Sequence, residues 1–127
     1  LLARKVVQAV REAKAEAWMI YISFNYDILK EILRLDPYAK CAYLMGDQLP
    51  SQLAADKMFG FDYNQANLQK NKTWIHQAKQ LGLTTNVWTV NTPELMDYFL
   101  AEGIDYITTD EPEILLQKVA ALKQSKE

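Results

Sequence analysis

Thr84-Thr85-Asn86-Val87-Trp88-Thr89-Val90-Asn91-Thr92-Pro93-Glu94 reads as a buried strand running straight into a helix. Side chains alternate along a strand, which places Asn86, Trp88 and Val90 on one side and Val87 and Thr89 on the other. The strand ends where Thr92 can cap a helix, Pro93 can take its first position and Glu94 can meet its positive end. Gly82 precedes the strand and Gly103 follows the next helix, so both borders are punctuated. Trp88 is the most informative residue, a large aromatic with one N–H donor near the C-terminal end of a strand. In parallel α/β proteins, ligands bind at that end.

Looser copies of this unit recur on both sides. Glu16 to Phe24 is the first strand candidate, and Trp18, Met19, Ile20, Tyr21 and Ile22 form a nearly unbroken apolar run. Such a run fits a strand buried on both faces. Asn25 can cap the helix that follows, with Ile28, Leu29, Ile32 and Leu33 on one face, and Asp36-Pro37 stops it. Lys40 to Leu44 is a second short strand. After Gly46-Asp47, Pro50 opens a short helix carrying Leu53 and Ala54. Phe59 to Tyr63 is the third strand, weakened by its glycine. Asn64 to Asn71 reads as a polar loop with some helical character. A helical stripe follows through Trp74, Ile75, Ala78 and Leu81, ending at Gly82. Beyond the central unit, its helix presents Leu95, Met96, Phe99 and Leu100. Ile104 to Thr108 is the fifth strand. Pro112 opens a last helix with Ile114, Leu115, Val119 and Leu122 predicted to face inward.

Ahead of all this, Val6, Val7 and Val10 form the stripe of a leading helix. The order is therefore one helix and then five βα units, with strands starting about every 20 residues. This alternation implies a parallel sheet with right-handed crossovers. Two architectures fit: an open five-stranded doubly wound sheet, and part of an eight-stranded (β/α) barrel. Spacing alone leans to the open sheet, but the leading helix argues against it, since that fold normally begins with its first strand. A chain that opens on a helix in mid-rhythm is expected to be part of a longer protein.

Composition narrows the function classes. The chain has 127 residues, half of them apolar and about a quarter charged, as in one ordinary globular domain. A formal charge of −2 gives no general basic surface for nucleic acid. No apolar run approaches a membrane span. Cys41 is alone and forms no internal disulfide. No targeting signal is legible, so the compartment stays open. There is no Gly-rich phosphate loop, no nucleophile elbow and no His/Cys/carboxylate cluster with metal-ligand spacing. The single histidine, His76, lies mid-helix between Ile75 and Gln77 and reads as a solvated surface residue.

What remains is a set of polar and aromatic residues where strands turn into loops: Ser23 and Phe24, Leu44 to Asp47, Asp62 to Asn64, Trp88 with Thr89 and Asn91, and Thr109 with Asp110. Parallel strands would gather all of them at one rim, which is where a barrel builds its active site. Each has a local alternative. Asn25 and Asp110 can simply cap or tighten turns, Ser23 and Thr109 can satisfy loop N–H groups, and Trp88 can be core. Their coincidence on one rim favours a functional site.

At these residues the chain resembles the C-terminal part of the glycerophosphodiester phosphodiesterase family. The likeness is carried by Ser23-Phe24 ending a hydrophobic strand, Tyr43-Leu44, Ala78-Lys79-Gln80-Leu81-Gly82-Leu83, Asn86-Val87-Trp88-Thr89-Val90-Asn91, and Gly103-Ile104-Asp105-Tyr106-Ile107-Thr108-Thr109-Asp110-Glu111-Pro112. It covers nearly the whole chain, in the family's order and spacing. The resemblance implies a TIM-type barrel, with residues 1–127 supplying its third helix and its fourth to eighth strands. It implies a phosphoric diester hydrolase of glycerophospholipid metabolism that releases glycerol 3-phosphate and an alcohol. It also implies a divalent cation, Ca²⁺ or Mg²⁺, held by carboxylates, and two histidines as general acid and base.

Those histidines, the metal-binding carboxylates and a lysine belong to the family's first three strands, outside this sequence. His76, Asp62 and Asp110 match none of them. The resemblance leaves this chain no catalytic residue and no metal ligand. It leaves Trp88 and Phe24 as apolar walls near the glycerol or head group, with Ser23, Asn91 and Thr109 as rim support. Two expectations follow. The isolated chain is inactive, and its open sheet edges make it associate with the N-terminal part or with a second copy of itself. The alternative is a non-catalytic, barrel-derived module that binds a polyol phosphate.

Overall fold

The computed structural model describes residues 1–126. Its centre is a five-stranded sheet in the order β1 (Tyr21–Ser23), β2 (Cys41–Tyr43), β3 (Gly60–Asn64), β4 (Thr84–Trp88) and β5 (Tyr106–Ile107). Every neighbouring pair is parallel. A spatial order that follows the sequence without reversal belongs to a barrel wall. A doubly wound sheet reverses at a switch point, so that alternative falls.

Helices alternate with the strands: α1 (Leu2–Glu12), α2 (Tyr26–Leu35), α3 (Pro50–Ala55), α4 (Gln65–Lys70), α5 (Trp74–Gln80), α6 (Pro93–Ala101) and α7 (Pro112–Ser125). Several begin where side-chain chemistry dictates. The Leu95 N–H donates to Thr92 Oγ1 and Pro93 sits in the first turn of α6, while the Ile28 N–H donates to Asn25 Oδ1 at the start of α2. These caps satisfy backbone donors that a helix start otherwise leaves unpaired.

The core lies between the outer face of the sheet and the helices. It takes Val7 and Val10 from α1, Leu29 and Ile32 from α2, Tyr43, Phe61, Tyr63 and Val87 from the strands, and Met96 and Phe99 from α6. Phe61 and Tyr63 stack with centroids 4.5 Å apart, and Tyr43 meets Tyr63 edge-on at 6.2 Å. Burying aromatic and branched side chains on this scale supplies most of the driving force for the fold. Cys41 is fully enclosed in the same layer, and burial pushes its thiol up to about 12, which makes it an inert core residue.

Several expectations change. Glu16–Trp18 is a 3₁₀ turn, and the strand is confined to Tyr21–Ser23. Trp18 is exposed, and Ile20 and Ile22 lie open on the concave face. The strand is thus covered on its helix face only, because the helices supply only one layer. Asp62, Tyr63 and Asn64 belong to β3 itself, since the ladder to β4 runs as far as Asn64 opposite Trp88. The polar stretch after it is the helix α4, started by Asn64 accepting from the Ala66 N–H. Val90 does not share a side with Trp88. The strand ends at Trp88, alternation ends with it, and Val90 turns into the core with its N–H donating to the Thr108 carbonyl. On α7, Ile114, Leu115 and Val119 are half-buried and Leu122 is exposed, so its stripe is only partly covered.

Candidate functional site

Alternation sorts the sheet into two faces. Tyr21, Cys41, Tyr43, Phe61, Tyr63, Thr85 and Val87 turn to the helices. Ile22, Ala42, Gly60, Asp62, Asn86 and Tyr106 share the concave face, in register from strand to strand. Gly60 has a steric reason. A Cβ there would lie 1.8 Å from the Thr84 carbonyl oxygen, so β3 and β4 approach this closely only with glycine.

At the C-terminal rim of this face, Phe24 and Trp88 meet edge to face, centroids 6.1 Å apart at 88°. They come from opposite parts of the sequence and build a two-sided apolar corner. The Trp88 indole Nε1–H donates to the Asp62 carbonyl at 2.8 Å, which fixes the plane of the ring. The single donor of Trp88 is therefore used within the protein, and what the residue offers a ligand is its π face and edge. The Trp88–Thr89 peptide bond is cis.

The rim loops are tied to one another by side-chain amides. Asn91 Nδ2 donates to Asp110 Oδ2 at 2.9 Å, and its Oδ1 accepts from the Asp110 N–H at 2.8 Å and from Thr109 Oγ1 at 3.3 Å. This clamp joins the loop after β4 to the loop after β5. Gln65 Nε2 donates to the Thr89 carbonyl at 2.9 Å, and Asn67 Nδ2 to the Met45 carbonyl at 3.4 Å. The structure thus brings Asn91, Thr109 and Asp110 together, and separately Phe24 with Trp88. Ser23 stands apart. It follows Tyr21 in the alternation, and its Oγ accepts from the Asn25 N–H at 2.9 Å, a local turn contact ahead of α2. Gln65 and Asn67 were not singled out in the sequence. Both lie one to three residues past Asn64, in a stretch read as a loop.

Asp62 is the other feature that sequence reading undervalued. It is 8% exposed, and its Oδ1 has no hydrogen-bond partner among the described residues. Burial alone pushes its carboxyl up to about 6. Beside it is a cavity of about 40 Å³, lined among others by Ile20, Ile22, Ala42, Phe61, Asn86 and Tyr106. His76 is exposed on α5, away from this face. Among the described residues, no group of three or more His, Cys, Asp or Glu side chains could hold a metal ion. Of the two rim carboxylates closest to the aromatic corner and the amide clamp, Asp110 is engaged by Asn91, and Asp62 has no second carboxylate with which to share a cation among the described residues. No helix among the described residues is long and apolar enough to cross a membrane.

Comparison with known proteins bears on what this rim does. A sequence profile of the glycerophosphoryl diester phosphodiesterase family matches residues 1–114. A glycerophosphodiester phosphodiesterase of Caldanaerobacter subterraneus subsp. tengcongensis is 27% identical over 117 residues, covering 91% of this chain and 48% of that protein. The crystal structure of a glycerophosphodiester phosphodiesterase from Parabacteroides distasonis is similar at a TM-score of 0.92 and 40% identity, over 95% of this chain and 51% of that one. A phosphodiesterase from Oleispira antarctica, solved in complex with the product sn-glycerol-3-phosphate, shares the fold at a TM-score of 0.71 and 19% identity, over 94% of this chain and 51% of that one. The chain spans about half the length of these relatives. With a sheet in sequence order and a profile match over most of its length, the chain belongs to the glycerophosphoryl diester phosphodiesterase family.

Proposed function

We propose that residues 1–127 form the C-terminal five βα units of a glycerophosphodiester phosphodiesterase barrel and supply the binding half of its active site. The observation that carries this reading is the Phe24–Trp88 corner on the concave face at the C-terminal rim. A glycerol backbone has apolar C–H faces and polar edges. The corner packs against the first, and a rim of clamped amides and hydroxyls stands beside it for the second. The inter-loop hydrogen bonds of Asn91, Gln65 and Asn67 hold that rim in place before a ligand arrives, so little ordering is left to be done on binding.

Hydrolysis of a phosphodiester asks for more than this. The anion's charge must be offset, a nucleophile deprotonated and the leaving alkoxide protonated. We assign those tasks, and the divalent cation of the family, to three upstream βα units. This chain's residues bind and orient, and by itself it is inactive.

The test is release of glycerol 3-phosphate from glycerophosphocholine with Ca²⁺ or Mg²⁺. It is run on the 127-residue chain and on a chimaera in which this chain replaces the matching half of the Parabacteroides distasonis relative. Activity in the chimaera only is the expected result. Turnover by the isolated chain, or a folded chimaera without turnover, would overturn the proposal.

A further inference from the structure

The concave face carries one group that the proposed function does not use. Ile20, Ile22 and Tyr106 are 45, 56 and 57% exposed there, large apolar surfaces facing away from the helices. In their midst Asp62 Oδ1 is shielded from solvent and has no hydrogen-bond partner among the described residues. None of the other residues lining the adjoining cavity carries a charge. Lys40, the residue before β2, is exposed and lies over the Phe59 ring.

An apolar face of this extent on a sheet with two edge strands is a surface to be covered. Covering it removes water further from Asp62. An ionised carboxylate enclosed without a counter-charge costs several kcal/mol. A neutral donor would supply a hydrogen bond and leave the charge unbalanced. A cationic donor supplies both, through a charge-assisted bond strengthened by the low dielectric around it.

Resting on the barrel reading above, we propose that the concave face around Asp62 is the docking surface for the remaining strands of the barrel, and that these present one lysine or arginine side chain to the Asp62 carboxylate. The partner surface is thus apolar with a single cation at the position that faces β3. Asp62 becomes a positioning residue, which sets how the two halves of the barrel seat against each other and so where the Phe24–Trp88 corner lies relative to the catalytic groups.

The proposal makes opposite predictions in two settings. In the isolated chain, Asp62→Leu removes a buried unpaired carboxyl and raises the melting temperature. In the chimaera with the Parabacteroides distasonis half, the same change strands the cation and lowers it by about 5 °C or more. Asp62→Asn, which keeps the shape, follows the same two directions near neutral pH. The carboxyl of Asp62, followed by carbon NMR, titrates above the ordinary aspartate range in the chain and below it in the chimaera. Stabilisation of both proteins by Asp62→Leu, or a raised titration in both, would overturn the proposal while leaving the barrel reading intact. A wild-type chimaera that does not fold would instead count against the barrel reading, and against this inference with it.

Discussion

Asp62 makes the stability of the chain depend on pH in the direction opposite to most carboxylates. In the folded protein its carboxyl titrates at about 6, against 3.8 for an unperturbed aspartate. Between those values the folded state holds a proton that the unfolded state has released. The folded state then binds more protons, so stability falls as pH rises through this window. At lower pH the carboxyl is protonated in both states and the penalty is absent. Above about pH 6 to 7 it is fully expressed. Two pKa units and a little more, at about 1.4 kcal/mol each, make it on the order of 3 kcal/mol. Asp56 works the other way. Hydrogen bonds from the Tyr26 hydroxyl and Gln52 hold its carboxyl below the ordinary value, so its contribution is lost only at more acid pH, outside this window. The assay is urea unfolding of the chain and of Asp62→Asn at about pH 4 and about pH 7, at one protein concentration. At pH 4 the unfolded carboxyl is already partly ionised, so the expected result is that the wild type loses about 2.5 kcal/mol more than the variant on going up in pH, a midpoint shift of about 1 to 2 M. Equal pH dependence in the two proteins would refute the reasoning, because the titrating group would then be elsewhere.

Two further substitutions test the frame around the site. Gly60→Ala would drive a methyl into the Thr84 carbonyl at 1.8 Å, a clash with backbone that a rotamer change does not relieve. A loss of about 3 kcal/mol or more is expected, and a wild-type thermal transition would contradict the close approach of β3 and β4. Thr85→Val keeps the buried shape and removes a hydroxyl that donates to Asp105 Oδ2 and accepts from the Asp105 N–H, both at 3.0 Å. A loss of about 2 kcal/mol is expected, with faster hydrogen exchange at the Asp105 amide. An unchanged exchange rate there would show that this pair does not hold β5 to β4.

Much of the architecture was legible because local chemistry agreed with the global fold. Thr92-Pro93-Glu94 begins α6 and Asn25 begins α2 as capping rules require, whatever the tertiary context. The alternation of βα units dictated a parallel sheet, and the resemblance at Ser23-Phe24 and at Trp88 to Asn91 pointed to a barrel. The sequence misled where it carried information about burial without saying against what. Trp18 to Ile22 is apolar throughout and reads as a strand covered on both faces, yet only the helix face is covered here.

The rim shows the same division. Sequence alone determined which residue types stand at the strand ends, because turns and caps select Asn, Asp, Ser and Thr by local hydrogen bonding. It did not determine which of them meet. Asn91 joins Asp110 and Thr109, Phe24 joins Trp88, and Ser23 stays with its own turn, through contacts between residues far apart along the chain. Asp62 is the sharpest case. In the sequence it is an ordinary aspartate between two aromatic residues, Phe61 and Tyr63. Its isolation follows only from the pleat of β3, which turns its side chain to the concave face, and from apolar neighbours contributed by other strands. Local propensity is written in consecutive residues. The electrostatic environment of a side chain is a property of everything packed around it, and that is decided only by the tertiary structure.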